Sequence, residues 1–288
     1  IIRLADVEIA PRVYADGRDN YHFWKQSAGG SADNVNFGLQ RIIFHNLNIR
    51  YANDITNTSL NVTVPGFVAK GNFNNSRYAL DLAGNLLLNE FKSQGDNYIT
   101  DRNINLWLKL DADNTTGLYS ISKGMVETGK LKLTATGSFI YNEKQKQIDL
   151  DVAATGSTLE EMISLIPARF TKSFNGYKFQ GKGNITSKIS GFFGGNQMPA
   201  ISVRLDLNNG NIAERKSGMS LQNVSALAVY SVKQDGKNET LSISNLKAKL
   251  GDGFISGSLM MHGFTSPAIQ CNLNLILKIY VFVLFLKF

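Results

Sequence analysis

Cysteine is nearly missing from this chain of 288 residues: Cys271 stands alone. That excludes an internal disulfide framework and any cysteine-rich zinc or iron–sulfur site. The 3 histidines, His22, His45 and His262, are far apart in the sequence and suggest no dedicated metal centre. Proline (5) and tryptophan (2) are scarce, and charged residues make up 18%, below the roughly 25% of ordinary soluble domains. With 43% hydrophobic residues the chain is too apolar to be disordered, and too evenly polar for a protein of many membrane spans.

Catalytic signatures are also lacking. No Gly-x-Ser-x-Gly elbow occurs, and Cys271 lies in an apolar stretch with no histidine nearby. Gly124 to Lys130 spells most of a P-loop. Leu131, however, takes the place of the magnesium-binding Ser/Thr, and strand-like sequence follows where a helix must begin. Asp111-Ala112-Asp113-Asn114 opens like a calcium loop, but Thr116 replaces its glycine and Ser122 its terminal glutamate. We therefore expect no enzyme, no cofactor and no metal site. The net charge of +7 suits an anionic partner such as a phospholipid surface. Its lysines are dispersed singly, unlike the dense patches that bind nucleic acid, and none is expected to bind there.

What the sequence does have is alternation. Ile43, Leu47, Ile49 and Tyr51 share one parity, as do Leu60, Val62 and Val64, then Phe67, Ala69, Gly71 and Phe73. Tyr78 to Leu82 and Ile104 to Leu110 repeat the pattern. Leu131, Leu133, Ala135, Phe139 and Tyr141 face Ile148, Leu150, Val152 and Ala154 across the polar residues 142–147. Tyr177 to Ile189, Ile201 to Leu207 and Leu241 to Leu246 complete the series. Side chains alternate across a strand, so each run makes one oily and one wet face, which antiparallel sheets tolerate. Asn74-Asn75-Ser76, Asn209-Gly210 and Asp235-Gly236 read as turns between such strands. The chain is expected to be all-β.

One segment departs from this period. Ser157 with Glu160 reads as a capping box, and Leu159, Met162, Ile163 and Ile166 form one helical stripe that Pro167 ends. Such a short amphipathic helix would either plug the end of a sheet or act as a lid over an apolar channel. It divides the chain into residues 1–156, the helix 157–167, residues 168–274, and an apolar tail, 275–288. The tail falls short of the roughly 20 residues of a membrane span, and we expect it to be an artefact of truncation. The strand-like run from Ile1 to Tyr14 suggests a piece of something longer.

Several stretches together resemble the AsmA family of bacterial envelope proteins, and TamB-like proteins show similar patterns. Val13 to Trp24 (VYADGRDNYHFW) resembles the family's strand, Asp-Gly turn and Asn-aromatic strand. Phe37 to Tyr51 with Asp54 is similar to its next strand, although Ala52-Asn53 separates the aromatic–Asp pair. Gly71-Asn72-Phe73, Leu131 to Phe139 and Leu246 to Leu259 look like its Gly-punctuated strands. The resemblance covers most of residues 1–274.

It implies an elongated, curved antiparallel sheet forming an open groove, with one short amphipathic helix near its middle. It further implies a periplasmic protein anchored in the inner membrane, which conducts phospholipid towards the outer membrane and contributes to outer-membrane biogenesis. Phospholipid acyl chains would then be its partners. The membrane surface would be met through an anchor outside this fragment, and no catalytic residue carries over. The expected groove residues are Ile43, Leu47, Ile49 and Tyr51; Leu60, Val62 and Val64; Leu131 and Leu133; Ile148, Leu150 and Val152; and Val203, Leu205 and Leu207. The competing reading is a structural or adhesive cell-surface protein with a dry core. A fragment of an outer-membrane barrel fits less well, because Val281, Val283 and Phe285 would face a lumen that should be polar.

Overall fold

The alternating runs lie in strands, and one meandering sheet collects them. The structure, a computed structural model, describes residues 1–21, 40–73, 76–93, 96–142, 144–164, 171–194, 197–234, 238–264 and 266–276. Its strands are β1 (Ile2–Ile9), β2 (Arg12–Val13), β3 (Arg41–Asn53), β4 (Thr58–Gly71), β5 (Arg77–Ser93), β6 (Asp96–Asp113), β7 (Leu118–Thr128) and β8 (Leu131–Tyr141). They continue with β9 (Lys146–Thr158), β10 (Tyr177–Phe192), β11 (Ala200–Glu214), β12 (Ser220–Val232), β13 (Thr240–Leu250), β14 (Gly253–His262) and β15 (Ala268–Ile276). Between β9 and β10 come helix α1 (Leu159–Ile163) and a 3₁₀ turn (Lys172–Gly176).

All 15 strands belong to one open sheet, whose edges β1 and β15 do not pair with each other. From β3 onward the order follows the sequence and every pairing is antiparallel. Short connections dictate this, since a chain that reverses within a few residues returns beside itself. Gly129-Lys130 closes one such hairpin, with Gly129 at φ +59. That hairpin occupies the P-loop-like segment, and Asp113 of the calcium-like one caps the β6–β7 turn by accepting from the Thr115 and Thr116 amides. β1 and β2 instead run parallel to β3. Asp16-Gly17 turns the chain after β2, and the Arg12 guanidinium donates to the Asp54 carboxylate (2.9 Å), fastening that corner to the end of β3. β9 pairs with β10 across the helix, so residues 1–156 and 168–274 contribute to the same sheet.

The two faces differ in kind. One bears Asp81 and Lys109 (3.9 Å), Lys188 and Asp149 (2.8 Å), and Arg204 and Asp206 (2.8 Å). These exposed pairs contribute roughly 0–1 kcal/mol each. On the same face Trp107 lies between the ammonium groups of Lys109 and Lys123, at 5.8 and 5.4 Å from its ring. The opposite face is apolar. Beneath α1 it forms a buried cluster, where Leu159 and Met162 pack on Leu207, Val224 and Ala248 of β11, β12 and β13.

Three details correct the sequence reading. The capping box is formed by Thr158 and Glu161, one residue later than expected, because β9 runs on through Thr158, which pairs with Lys182 as Ser157 does with Gly183. The described helix is correspondingly Leu159–Ile163; Ile166 and Pro167 lie outside the described residues. Asn209-Gly210 is no turn but a bulge inside β11, with Asn209 at φ +54. The same left-handed conformation serves a turn or a bulge, and Asn is among the few residues that adopt it readily. His22, Asn74-Asn75, Asp235-Gly236 and residues 277–288 also lie outside the described residues.

Candidate apolar trough

Register places the apolar side chains in continuous rows. Ala69, Leu82, Leu108, Gly124, Ala135 and Val152 are successive partners from β4 to β9. The row continues through Ser187, Val203, Tyr230, Leu241 and Met261 of β10 to β14. A second row runs Phe67, Gly84, Leu106, Val126 and Leu133. Most of these side chains are half-buried, open to solvent on the side away from the sheet. Among the described residues only twelve apolar side chains are buried, and five of them form the cluster at α1. The face is thus a long, mostly half-buried floor, with a buried cluster at α1 and further buried positions such as Val64, Ala112 and Leu131.

The expected groove residues are brought to this face with the exception of Ile43. Leu47, Ile49 and Tyr51 oppose Val64, Val62 and Leu60, which continue into Leu88 and Phe91 of β5. Leu131 is the most deeply buried, at 1% exposure, and Leu133 follows it on the same side of β8. Ile148, Leu150 and Val152 oppose Phe139, Gly137 and Ala135. Val203 lies on the open floor, whereas Leu207 is buried in the α1 cluster with Leu205 packed against it. Ile43 pairs with Val68, in line with Ala83 and Trp107 on the polar face. Its parity matches Leu47 in sequence, but Asn46 between them adopts φ +52 and reverses the alternation. Asn223 (φ +52) does the same in β12, so that Leu221 and Val224 meet the same cluster, which Leu246 and Ala248 of β13 join just beyond Asn245 (φ +55).

Beside α1 the floor deepens into an open-sided hollow of about 740 Å³. Its base is Ile104, Val126, Leu133 and Ile163, with Phe174 and Phe179 forming one wall, their ring centroids 5.7 Å apart. Two arginines reach it from different strands. Arg102 of β6 donates to the Ser164 carbonyl (2.6 Å), and Arg215, just past β11, donates through Nε to the Tyr177 carbonyl (3.2 Å). Thr128, at the end of β7, also lines the hollow; it is 9% exposed, and among the described residues its hydroxyl has no hydrogen-bond partner. The pattern of alternation could have revealed Val126, which keeps step with Gly124 and Thr128. The two arginines carried no signal of their own, because only the sheet register unites them.

On the opposite face Lys132 donates to Glu127 (2.8 Å), which holds the Glu127 carboxyl below its ordinary value and the Lys132 ammonium above its own. Among the described residues no cluster of three or more His, Cys, Asp or Glu side chains could hold a metal ion. No helix among them is long and apolar enough to cross a membrane. In comparison with known proteins, the chain matches no family model, no curated protein and no solved structure.

Proposed function

We propose that this chain is part of an AsmA-like envelope protein that conducts phospholipid between the inner and outer membranes, its acyl chains lying on the apolar face of the sheet. One observation carries the reading: rows of half-buried Leu, Val and Ala cross the sheet from β4 to β14, and among the described residues no second layer covers most of their length. Full burial of a Leu or Val side chain is worth roughly 1.5–3 kcal/mol, so a floor left open forgoes much of that at each position. An acyl chain laid along it recovers about 0.8 kcal/mol per buried methylene. Continuity of the floor allows a tail to exchange one row for the next without a deep free-energy well. Passage then requires no catalytic group, and direction is supplied by partners or by the membranes themselves. A dry-cored adhesive protein would cover the same rows with a second sheet, whereas here most of the row residues are half-buried.

The test is mass spectrometry of lipids that accompany the protein in mild detergent, together with crosslinking to acyl chains that carry a photoreactive group. The floor should crosslink at Leu106 and Leu133, and Leu106→Asp with Leu133→Asp should abolish both signals in a protein that keeps its β-sheet circular dichroism. Leu205 is a poor choice for this purpose, since it supports the α1 cluster. Unchanged crosslinking in the folded double variant, or wild-type protein free of lipid, would overturn the proposal.

A further inference from the structure

We infer that the hollow beside α1 is a head-group site, selective for a phospholipid of net negative charge whose tail runs out along the floor of β6, β7 and β8. The inference rests on the lipid reading above and adds to it a place and a selectivity. Three observations converge. Arg102 and Arg215 enter the same apolar hollow, and among the described residues neither is paired with a carboxylate. The Arg102 guanidinium donates to the carbonyl and the hydroxyl of Ser164, and that of Arg215 to the Tyr177 carbonyl. A guanidinium has five N–H donors, so most of them remain to meet a phosphodiester. Thr128 then places in the same wall an almost wholly buried hydroxyl that has no partner among the described residues.

An orphaned buried hydroxyl is costly, and its retention points to a partner that the bound state supplies. Glu160 of α1 lines the hollow too. One carboxylate against two guanidiniums leaves a single positive charge, which favours a head of net charge −1 over a neutral one. The volume, about 740 Å³, lies within the roughly 300–1,000 Å³ of sites for one small molecule. The tail has its path in Leu106 and Leu108, which follow Ile104 on the same side of β6.

The experiment offers the purified protein equal amounts of phosphatidylglycerol and phosphatidylcholine in mild detergent and reads both complexes by native mass spectrometry. Wild type should favour phosphatidylglycerol by about tenfold, the ratio expected of one charge-assisted hydrogen bond. Arg102→Gln and Arg215→Gln should each erase most of that preference while total lipid uptake persists. Thr128→Val keeps the side-chain shape and removes the orphan. It should raise the melting temperature and also lower the preference, whereas a hydroxyl with a purely structural role would change stability alone. Lys188→Gln, on the polar face, should change neither. Equal uptake of the two lipids by wild type, or full preference retained in both arginine variants, overturns the head-group site and leaves the trough standing. Uptake of neither lipid overturns the site and the lipid reading together.

Discussion

An open apolar face and a covered one respond differently to the same truncation. Leu106→Ala and Leu207→Ala remove identical atoms from β6 and β11 without touching the ladder. Leu207 is 7% exposed beneath α1, so its truncation forfeits the transfer free energy and leaves a cavity, at a cost of about 2–5 kcal/mol. Leu106 is half-buried, with Gly84 as its β5 partner and Val126 on the other side. Its truncation removes three carbons already half in solvent and leaves no enclosed void; at about 0.8 kcal/mol per fully buried methylene, the loss is about 1 kcal/mol. Urea unfolding followed by far-UV circular dichroism should show a midpoint shift at least twice as large for Leu207→Ala, with unchanged slopes. Hydrogen exchange resolved by peptide should place the loss around β10–β13 for Leu207→Ala and around β5–β7 for Leu106→Ala. Equal midpoint shifts would mean that Leu106 is enclosed as firmly as Leu207, and the reasoning that makes this face a trough would fail.

Two other changes probe the sheet itself. Gly137 holds φ +136 in β8, and a Cβ there would collide with the Asp149 carbonyl of β9; Gly137→Ala should cost about 1–3 kcal/mol and increase amide exchange along β8–β9 first. Retention of wild-type protection in both strands would refute that assignment. Burial pushes the Asp113 carboxyl up, but hydrogen bonds from the Thr115 amide, the Arg77 guanidinium and the Thr116 amide outweigh it and hold the group below its ordinary value. Its folded value therefore lies below its unfolded one. The stabilisation is complete above the unfolded value and is lost as pH falls through the folded one. Arg77→Gln should move the Asp113 titration, followed by carboxyl-carbon NMR, back towards the ordinary range and narrow that acidic window. An unmoved titration would show that the Arg77 pair (2.8 Å) does not form in solution.

The strands were legible because alternation is a local property, and the β8–β9 hairpin follows directly from two facing runs. The helix was legible for the same reason, in its stripe of Leu159, Met162 and Ile163. Its start was ambiguous, since Ser157 with Glu160 and Thr158 with Glu161 share one signature, and only the length of β9, which stays paired with β10 through Thr158, decides between them. Ile43 was misplaced because an Asn inside a strand looks like any polar residue on the wet face. Whether Asn46 keeps the period or reverses it depends on one backbone angle that its neighbours do not encode. The hollow was illegible for another reason. Arg102, Thr128 and Arg215 belong to distant parts of the chain, and only the accumulated register of five ladders brings them to one wall.

The bulges also bear on whether α1 is a plug or a lid. Asn209 and Asn223 reverse the alternation in two successive strands, so residues on both sides of each bulge turn towards the helix, Leu207 with Ile212 and Leu221 with Val224, while Leu246 and Ala248 of β13 join them from beyond Asn245. The helix thus has a seat that the strands themselves build. Lifting α1 would expose Leu159 and Met162, which are 5% and 4% accessible, and the side chains beneath them. Two such side chains alone amount to roughly 3–6 kcal/mol. At 1.4 kcal/mol per factor of ten, the lifted state is populated below about one molecule in a hundred. A lid that rarely opens is a wall. On the proposed reading, α1 therefore closes one end of the floor over β10–β13, and a lipid reaches the hollow of Arg102 and Arg215 from the open side, along β6, β7 and β8.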